Sequence, residues 1–266
     1  KGVVRLFSAR DLTPQGVISL APLSVAETGF AEGAAPNQLF TAAVAGQRVF
    51  IPSVSASPAL PLRFDSNVQP VVYVVDLTTK AELRTASTGT LNLAKSVNAA
   101  LPAGMTRTFL ADLRDVDFVP GTTIAYVLSQ GADTLQRVAF NDAGGVSEFG
   151  STMNKQIDLT GDAASGACQT PNGVVIANTS QRAFVNCWVS RKLGIVDLSA
   201  QKLASTVEAT PVAAAEQQAQ RGRRLFFTAR GRWSSEGWSS CGSCHPDGLT
   251  DNITWIFGSG PRQTTS

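Results

Sequence analysis

Short runs of apolar residues, each bounded by a turn signal, fill most of the chain up to residue 210. In three places two such runs are separated by a few turn-forming residues, such as Ala45-Gly46-Gln47. Apolar runs of about four to eight residues between turn residues are typical of β-strands, so each pair predicts a β-hairpin. The predicted hairpins lie at 42–52, 115–128 and 173–188.

A third apolar run follows each predicted hairpin, at Val72–Lys80, Leu135–Asn141 and Leu193–Gln201. A strand–turn–strand–loop–strand unit that returns every 40 to 65 residues or so predicts the blades of a β-propeller. A β-sandwich is the alternative, because its strands are also short and bounded by turns. We predict a mostly β protein with about three blades, preceded by a leading strand at Val3–Phe7.

The pattern changes after residue 210. Pro211–Phe227 is rich in Ala, Gln and Arg, and Pro is tolerated in the first turn of a helix. This change predicts a domain boundary, with a β-propeller portion at 1–210 and a small α-helical domain at 211–266.

Composition narrows the class of protein. Of the 266 residues, 43% are hydrophobic and 16% are charged, which excludes an intrinsically disordered chain. The formal net charge is only +2, and the basic residues cluster only locally at Arg221–Arg232, so we expect no nucleic-acid partner. Apolar runs stay short of the roughly 18 residues that a membrane-spanning helix needs, so no such helix is predicted.

The chain has four cysteines and a single histidine, and three of these five residues form the CxxCH motif Cys241–His245. This motif is typical of c-type haem attachment. Two thiols on one short turn reach both vinyl groups of a porphyrin, and the adjacent His245 supplies an axial ligand to the iron. A zinc site would need further Cys or His ligands at compatible spacing, and a thioredoxin-like motif would need a βαβ context. We therefore predict one covalently bound haem c on Cys241 and Cys244.

The remaining cysteines, Cys168 and Cys187, flank the third predicted hairpin. Attachment of haem c takes place outside the cytoplasm, where disulfides persist. We predict a Cys168–Cys187 disulfide and a periplasmic or extracellular bacterial location. Two buried free thiols are the alternative.

Two segments of the β region, Ala183–Asn186 and Gly194–Leu198, resemble the repeated "YVxN…VxVIDL" pattern of YVTN-type bacterial β-propellers. The resemblance is a loose pattern and implies a propeller. Because propellers typically have 4–8 blades, it also implies further blades outside this sequence.

Ahead of CxxCH, Gly222–Phe226 resembles the first helix of class I cytochrome c domains. That resemblance implies a close helix crossing at Gly222 and places Phe226 near the haem edge. An ordinary amphipathic helix is the alternative.

The whole stretch 222–266 resembles the haem domains of the di-haem cytochrome c peroxidase superfamily, with a similar "GxxLF…GWxSCxxCHPDGxxD…WxFxxGPRxT" pattern. The resemblance implies that the Pro261 carbonyl accepts a hydrogen bond from His245. It also implies that Arg262 neutralises a haem propionate, although a solvated surface arginine is the alternative. The side chains implied to wall the haem pocket are Trp255 and Phe257.

The sequence departs from that superfamily in having one CxxCH motif where a di-haem enzyme needs two. Peroxidase activity is therefore not supported by these residues alone. The sixth iron ligand is also open, since no second histidine exists and the two methionines, Met105 and Met153, lie in the β region. We expect the distal ligand, and the end of the haem domain, to lie beyond Ser266.

These expectations favour an electron-transfer protein that works outside the cytoplasm, receives electrons from or passes them to a redox partner protein, and uses its propeller as a docking platform. One alternative is a haem-dependent oxidoreductase of the di-haem peroxidase type, with its second haem outside this sequence. Another is a structural subunit of a larger redox assembly. The sequence leaves the oligomeric state, redox partner and reduction potential open.

Overall fold

The computed structural model describes residues 2–28, 33–63, 66–84, 90–100, 107–141, 146–149 and 156–265. Over these ranges the protein is mostly β, as predicted. The strands form three larger antiparallel sheets in series along the chain, with a two-stranded hairpin before them and another after them.

The leading hairpin pairs β1 (Val3–Phe7) with β2 (Pro14–Ser19), so the predicted leading strand has a partner of its own. Helix α1 (Val25–Thr28) follows. The first sheet is built around two long strands that pair along their whole length from Arg48↔Asp76 to Ala56↔Val68. Its strands are β3 (Ala35–Asn37), β4 (Ala43–Ala45), β5 (Arg48–Ala56), β6 (Val68–Asp76), β7 (Ala81–Glu82) and β8 (Leu91–Asn92).

Helix α2 (Leu93–Ala100) precedes the second sheet, which contains β9 (Leu113–Phe118), β10 (Ile124–Ser129), β11 (Thr134–Phe140), β12 (Val146–Phe149) and β13 (Gln156–Asp158). The third sheet is a four-stranded meander of β14 (Pro171–Ile176), β15 (Arg182–Cys187), β16 (Lys192–Asp197) and β17 (Lys202–Glu208). The three predicted hairpins correspond to the antiparallel pairs β4–β5, β9–β10 and β14–β15 and are confirmed.

Apolar layers separate consecutive sheets. In β10, Val127 packs towards the first sheet, whereas its neighbours Tyr126 and Leu128 pack towards the third. The second sheet therefore buries both faces, which follows from the alternation of side chains along a strand. A two-sheet sandwich does not require a sheet with two buried faces, whereas consecutive propeller blades do. The arrangement is β-propeller-like.

The Cys168–Cys187 disulfide is present, with the two Cα atoms 4.9 Å apart, and the prediction is confirmed. It links the segment just before β14 to the end of β15. Both cysteines are fully buried in the apolar layer between the second and third sheets.

The C-terminal segment, residues 211–265, does not form the α-helical domain that the sequence predicts. Its one α-helix in the described residues, α3 (Gln217–Phe227), is followed by short 3-10 turns at Cys241–Ser243 and Pro246–Gly248. The segment ends in a hairpin of β18 (Thr254–Phe257) and β19 (Gly260–Gln263). Gly and Pro interrupt the sequence after α3 so often that no second helix can propagate.

None of the helices in the described ranges combines the length and the apolar character that crossing a lipid bilayer requires.

Candidate functional site

The CxxCH turn, Cys241–His245, is a single tight turn in which the His245 and Cys244 amides donate to the Cys241 carbonyl at 2.9 and 3.3 Å. Cys241 is exposed, Cys244 is half-buried, and both are free thiols. Gly242 lies so close to α3 that a Cβ atom there would be 2.7 Å from Cδ1 of Phe227. The turn therefore rests on the end of α3 and leaves Cys241 more exposed than Cys244.

The orientation of the imidazole is set locally. Nδ1 of His245 lies 3.1 Å from the carbonyl oxygen of Leu249, four residues later. Left-handed backbone at Asp247 and Gly248, with φ of 54° and 81°, turns the chain so that this carbonyl faces the ring. A histidine that donates from Nδ1 keeps the Nε2 lone pair for a metal, as metal-binding histidines in proteins do.

The sequence predicts the Pro261 carbonyl as the partner of His245, whereas here Nδ1 of His245 faces the Leu249 carbonyl. The Pro261 carbonyl accepts a 2.9 Å hydrogen bond from Nη1 of Arg262, the next residue along β19. Leu249 takes its role because the Pro246–Gly248 turn brings an i+4 carbonyl back to the ring.

The second sheet anchors the turn through Asp112, a fully buried residue just before β9. Its Oδ2 accepts from the Ser240 hydroxyl and its Oδ1 from the Ser243 hydroxyl, each at 2.5 Å. Burial raises the pKa of Asp112, and the two serine hydroxyls oppose that rise.

The first sheet adds two contacts. Nε2 of Gln38 donates to the Ser243 carbonyl at 2.6 Å, and Nδ2 of Asn37 donates to the Asp251 carbonyl at 3.0 Å. Trp238 is buried against Phe109, with ring centroids 4.5 Å apart. The haem-type motif is thus held against two sheets of the β region.

A cavity of about 490 Å³ adjoins the turn, within the size range of cofactor sites. One wall comes from four residues of the β region, and the other comes from the C-terminal segment. Its lining is Leu62, Arg63, Asn67, Val68, Ser239, Ser240, Cys244, His245, Trp255, Phe257, Arg262, Gln263, Thr264 and Thr265.

The structure brings Trp255, Phe257 and Arg262 to this cavity together with His245. Trp255 is buried and donates from Nε1 to Asp251 and Thr264, whereas Phe257 leaves 47% of its surface exposed. In the part of the chain that the structure describes, no carboxylate pairs with the exposed Arg262.

The GxxxF segment behaves only partly as expected. The Phe226 ring centroid lies 6.1 Å from that of His245, so this aromatic does lie beside the motif. Gly222, in contrast, is exposed, and a Cβ atom there would meet nothing within 4 Å, so no close helix crossing depends on it. The close approach to α3 takes place instead at Gly242 and Phe227.

Burial raises the pKa of the Cys244 thiol to about 12, and the nearby carboxylates of Asp251 and Asp112 add to the rise. Since the thiolate is the reactive form of cysteine, Cys244 is a weak nucleophile once the turn is docked.

These residues fit a haem c. The donor set is complete on the proximal side, because Cys244 and His245 line the cavity and the free Cys241 thiol belongs to the same turn. A zinc cluster fits less well, since no group of three or more His, Cys, Asp or Glu side chains suited to a metal ion occurs among the described residues. Met105 and Met153, weighed as possible sixth ligands, lie outside the described residues.

Sequence reasoning missed Asp112, Phe227 and Leu249. Phe227 could have been found, because Phe226-Phe227 ends an amphipathic helix and one of two adjacent aromatics faces inwards. Asp112 carries no local signal, since its partners lie more than a hundred residues later.

The sequence matches no protein-family model and no curated protein. A functionally unknown protein from Desulfotomaculum acetoxidans aligns at 12% identity and a TM-score of 0.38, over 78% of this chain and 63% of that one. A 6-phosphogluconolactonase-like protein from Bacteroides fragilis aligns at 11% identity and a TM-score of 0.45, over 79% of this chain and 50% of that one. The periplasmic gluconolactonase of Pseudomonas aeruginosa aligns at 14% identity and a TM-score of 0.36, over 77% of this chain and 62% of that one. The chain thus spans between half and two thirds of these proteins, and likenesses of this size carry no inference about activity.

Proposed function

We propose that this chain is a c-type haem protein that transfers single electrons outside the cytoplasm. The observation that supports this most is the CxxCH turn at the edge of the cavity, with Nδ1 of His245 facing the Leu249 carbonyl. A haem iron held in this way supplies reversible one-electron chemistry.

Each residue of the site has a distinct part in this proposal. Cys241 and Cys244 would form the thioether links, and His245 would hold the iron through Nε2. The Leu249 carbonyl accepts a hydrogen bond from Nδ1–H of His245, which raises the basicity of the imidazole and fixes its plane. Trp255 and Phe257 shield one side of the cavity from water, and Arg262 is placed to meet a propionate.

The proposed location is the periplasm or the cell exterior of a bacterium. The disulfide favours an oxidising compartment, because such bonds are rare in the cytosol. In this setting the β-propeller-like sheets serve both as a platform for a redox partner protein and as one wall of the cofactor cavity.

Covalent attachment tests the proposal. The full chain is produced in a bacterial host that attaches haem c in its periplasm, and the purified protein is extracted with acidified acetone. We expect the haem to stay with the protein, and to be lost in a Cys241→Ala/Cys244→Ala variant. A Cys168→Ser/Cys187→Ser variant is the matched control and should keep its haem. Complete passage of the wild-type haem into the organic phase would refute the proposal.

The same preparation separates the carrier from the peroxidase-type enzyme. A low-spin, six-coordinate difference spectrum between the reduced and oxidised forms is expected of an electron carrier. A high-spin iron that reacts with hydrogen peroxide would instead assign the chain to the haem-dependent oxidoreductases.

A further inference from the structure

The two serines that flank the first cysteine of the motif are joined through one carboxylate. The Ser240 amide donates to the Ser243 hydroxyl oxygen at 3.0 Å. The Ser243 hydroxyl donates in turn to Oδ1 of Asp112, while the Ser240 hydroxyl donates to Oδ2. The three residues thus close a ring of hydrogen bonds around Cys241 and Gly242.

Asp112 is itself fixed by the second sheet. Its backbone is left-handed, with φ of 55°, and its carbonyl accepts from the Gln130 amide at 2.9 Å. The neighbouring Ala111 carbonyl accepts from the Gly131 amide at 3.1 Å and from the Ser129 hydroxyl at 2.5 Å. Gly131 is required here, because a Cβ atom on it would lie 2.8 Å from Oδ2 of Asp112.

We propose that Asp112 is a positioning residue for the haem: by fixing Ser240 and Ser243 from the β region, it sets the conformation of the Cys241–His245 turn and the direction in which Cys244 and His245 face the cavity. The effect of Asp112 on the haem rests on the proposed function. The hydrogen bonds from which the assignment is argued are contacts within this chain and do not depend on a haem. The β region then determines the haem environment and is more than a platform.

The chemistry requires a carboxylate. Both serine hydroxyls donate to Asp112, so the residue at this position must offer two acceptor oxygens. Asparagine is nearly the same size but offers one acceptor oxygen and an NH₂ donor. Asp112→Asn therefore leaves one buried hydroxyl without its acceptor, with little change in volume.

Asp115→Asn is the matched control. Asp115 lies in β9, three residues after Asp112, and burial raises its pKa too. Its Oδ2 accepts from the Val174 amide of the third sheet at 2.8 Å. Both variants are expected to lose stability, so a change in stability alone does not distinguish them.

The first measurement uses the haem-loaded protein. We expect Asp112→Asn to shift the midpoint reduction potential and the low-spin electron paramagnetic resonance signal, with both unchanged in Asp115→Asn. Wild-type values in Asp112→Asn, or the same shift in both variants, would overturn the assignment.

The second measurement uses the haem-free chain and therefore decides the question even if no haem attaches and the proposed function fails. Alkylation of Cys244 by iodoacetamide is followed by mass spectrometry. Asp112→Asn should raise its rate about tenfold or more, because a docked turn that lacks one buried hydrogen bond opens more often. Ser243→Ala should act in the same direction, and the double variant should add little. An unchanged Cys244 rate in Asp112→Asn contradicts the proposal.

Discussion

Two buried aspartates, Asp112 and Asp133, tie the β region to the C-terminal segment. Both have left-handed backbones, with φ of 55° and 49°, a conformation that Asp adopts more readily than most residues. Asp112 accepts from serine hydroxyls, whereas Asp133 accepts from both Nη1 and Nη2 of Arg224, at 3.0 and 2.5 Å. Burial raises the pKa of Asp133, and the Arg224 guanidinium opposes that rise.

Removing the cation should therefore be costly. Arg224→Met leaves the Asp133 carboxylate buried without its partner, and we expect the free energy of unfolding to fall by about 3–5 kcal/mol. Urea denaturation measures this value. Arg223→Met, at an exposed neighbouring position, should stay within about 0.5 kcal/mol of wild type. A loss of less than about 1 kcal/mol in Arg224→Met would contradict the role given to the pair.

The ion pair between Glu27 and Arg84 should make the free energy of unfolding depend on pH. Hydrogen bonds from Arg84 lower the pKa of Glu27 to about 2, against the opposing effect of burial, and Ser24 contributes in the same direction as Arg84. A lowered carboxyl pKa gives stability that is present above the unfolded pKa of about 4.5 and is lost as the pH falls towards about 2. The difference in unfolding free energy between wild type and Glu27→Gln should therefore be constant near neutral pH and shrink below about pH 4.5. A difference that does not change with pH would show that the ion pair is not its source.

Among the elements, hairpins could be predicted from sequence and docking contacts could not. Strand pairs such as β9–β10 depend on residues a few positions apart, and the turn residues between them are visible in the sequence. The Asp112 contact spans 128 residues to Ser240, so no local pattern reveals it. Leu249 was missed because the left-handed backbone of Asp247 is decided by packing as well as by residue type.

The disulfide between the segment before β14 and the end of β15 should stabilise the third sheet. It closes a loop of 19 residues in sequence separation, for which loop-closure entropy gives about 3 kcal/mol. In a Cys168→Ser/Cys187→Ser variant the free energy of unfolding should fall by about 3 kcal/mol, so the midpoint of urea unfolding should move to a lower urea concentration. The native far-ultraviolet circular dichroism should be retained. Equal midpoints in the two proteins would refute this.

In the whole molecule, the C-terminal segment and the β region share one cavity and several buried contacts. Trp238 shows this best, because its ring packs on Phe109 and its Nε1 donates to the Val68 carbonyl at 2.9 Å. The composition change near residue 210 marks where the sheets end, but it does not reveal that the following residues pack back onto two of them.

One cooperative transition should follow from this packing. Three of the four tryptophans, Trp233, Trp238 and Trp255, lie in the C-terminal segment, so fluorescence follows that segment while far-ultraviolet circular dichroism follows mainly the sheets. We expect the two urea transitions of wild type to coincide. Separate midpoints, with fluorescence changing first, would mean that the segment unfolds independently.

Docking of Gly242 against Phe227 also bears on the order of events during biogenesis. Once the turn has docked, Cys244 is half-buried and burial raises the pKa of its thiol. An enzyme that attaches haem to cysteine thiols would therefore react slowly with Cys244 in the folded protein. The sheets that receive the turn precede it in the chain, so they are available to capture it as soon as it appears. Haem attachment and folding therefore compete in time. Conditions or variants that delay folding of the second sheet should increase the fraction of chains that leave the maturation machinery with haem attached.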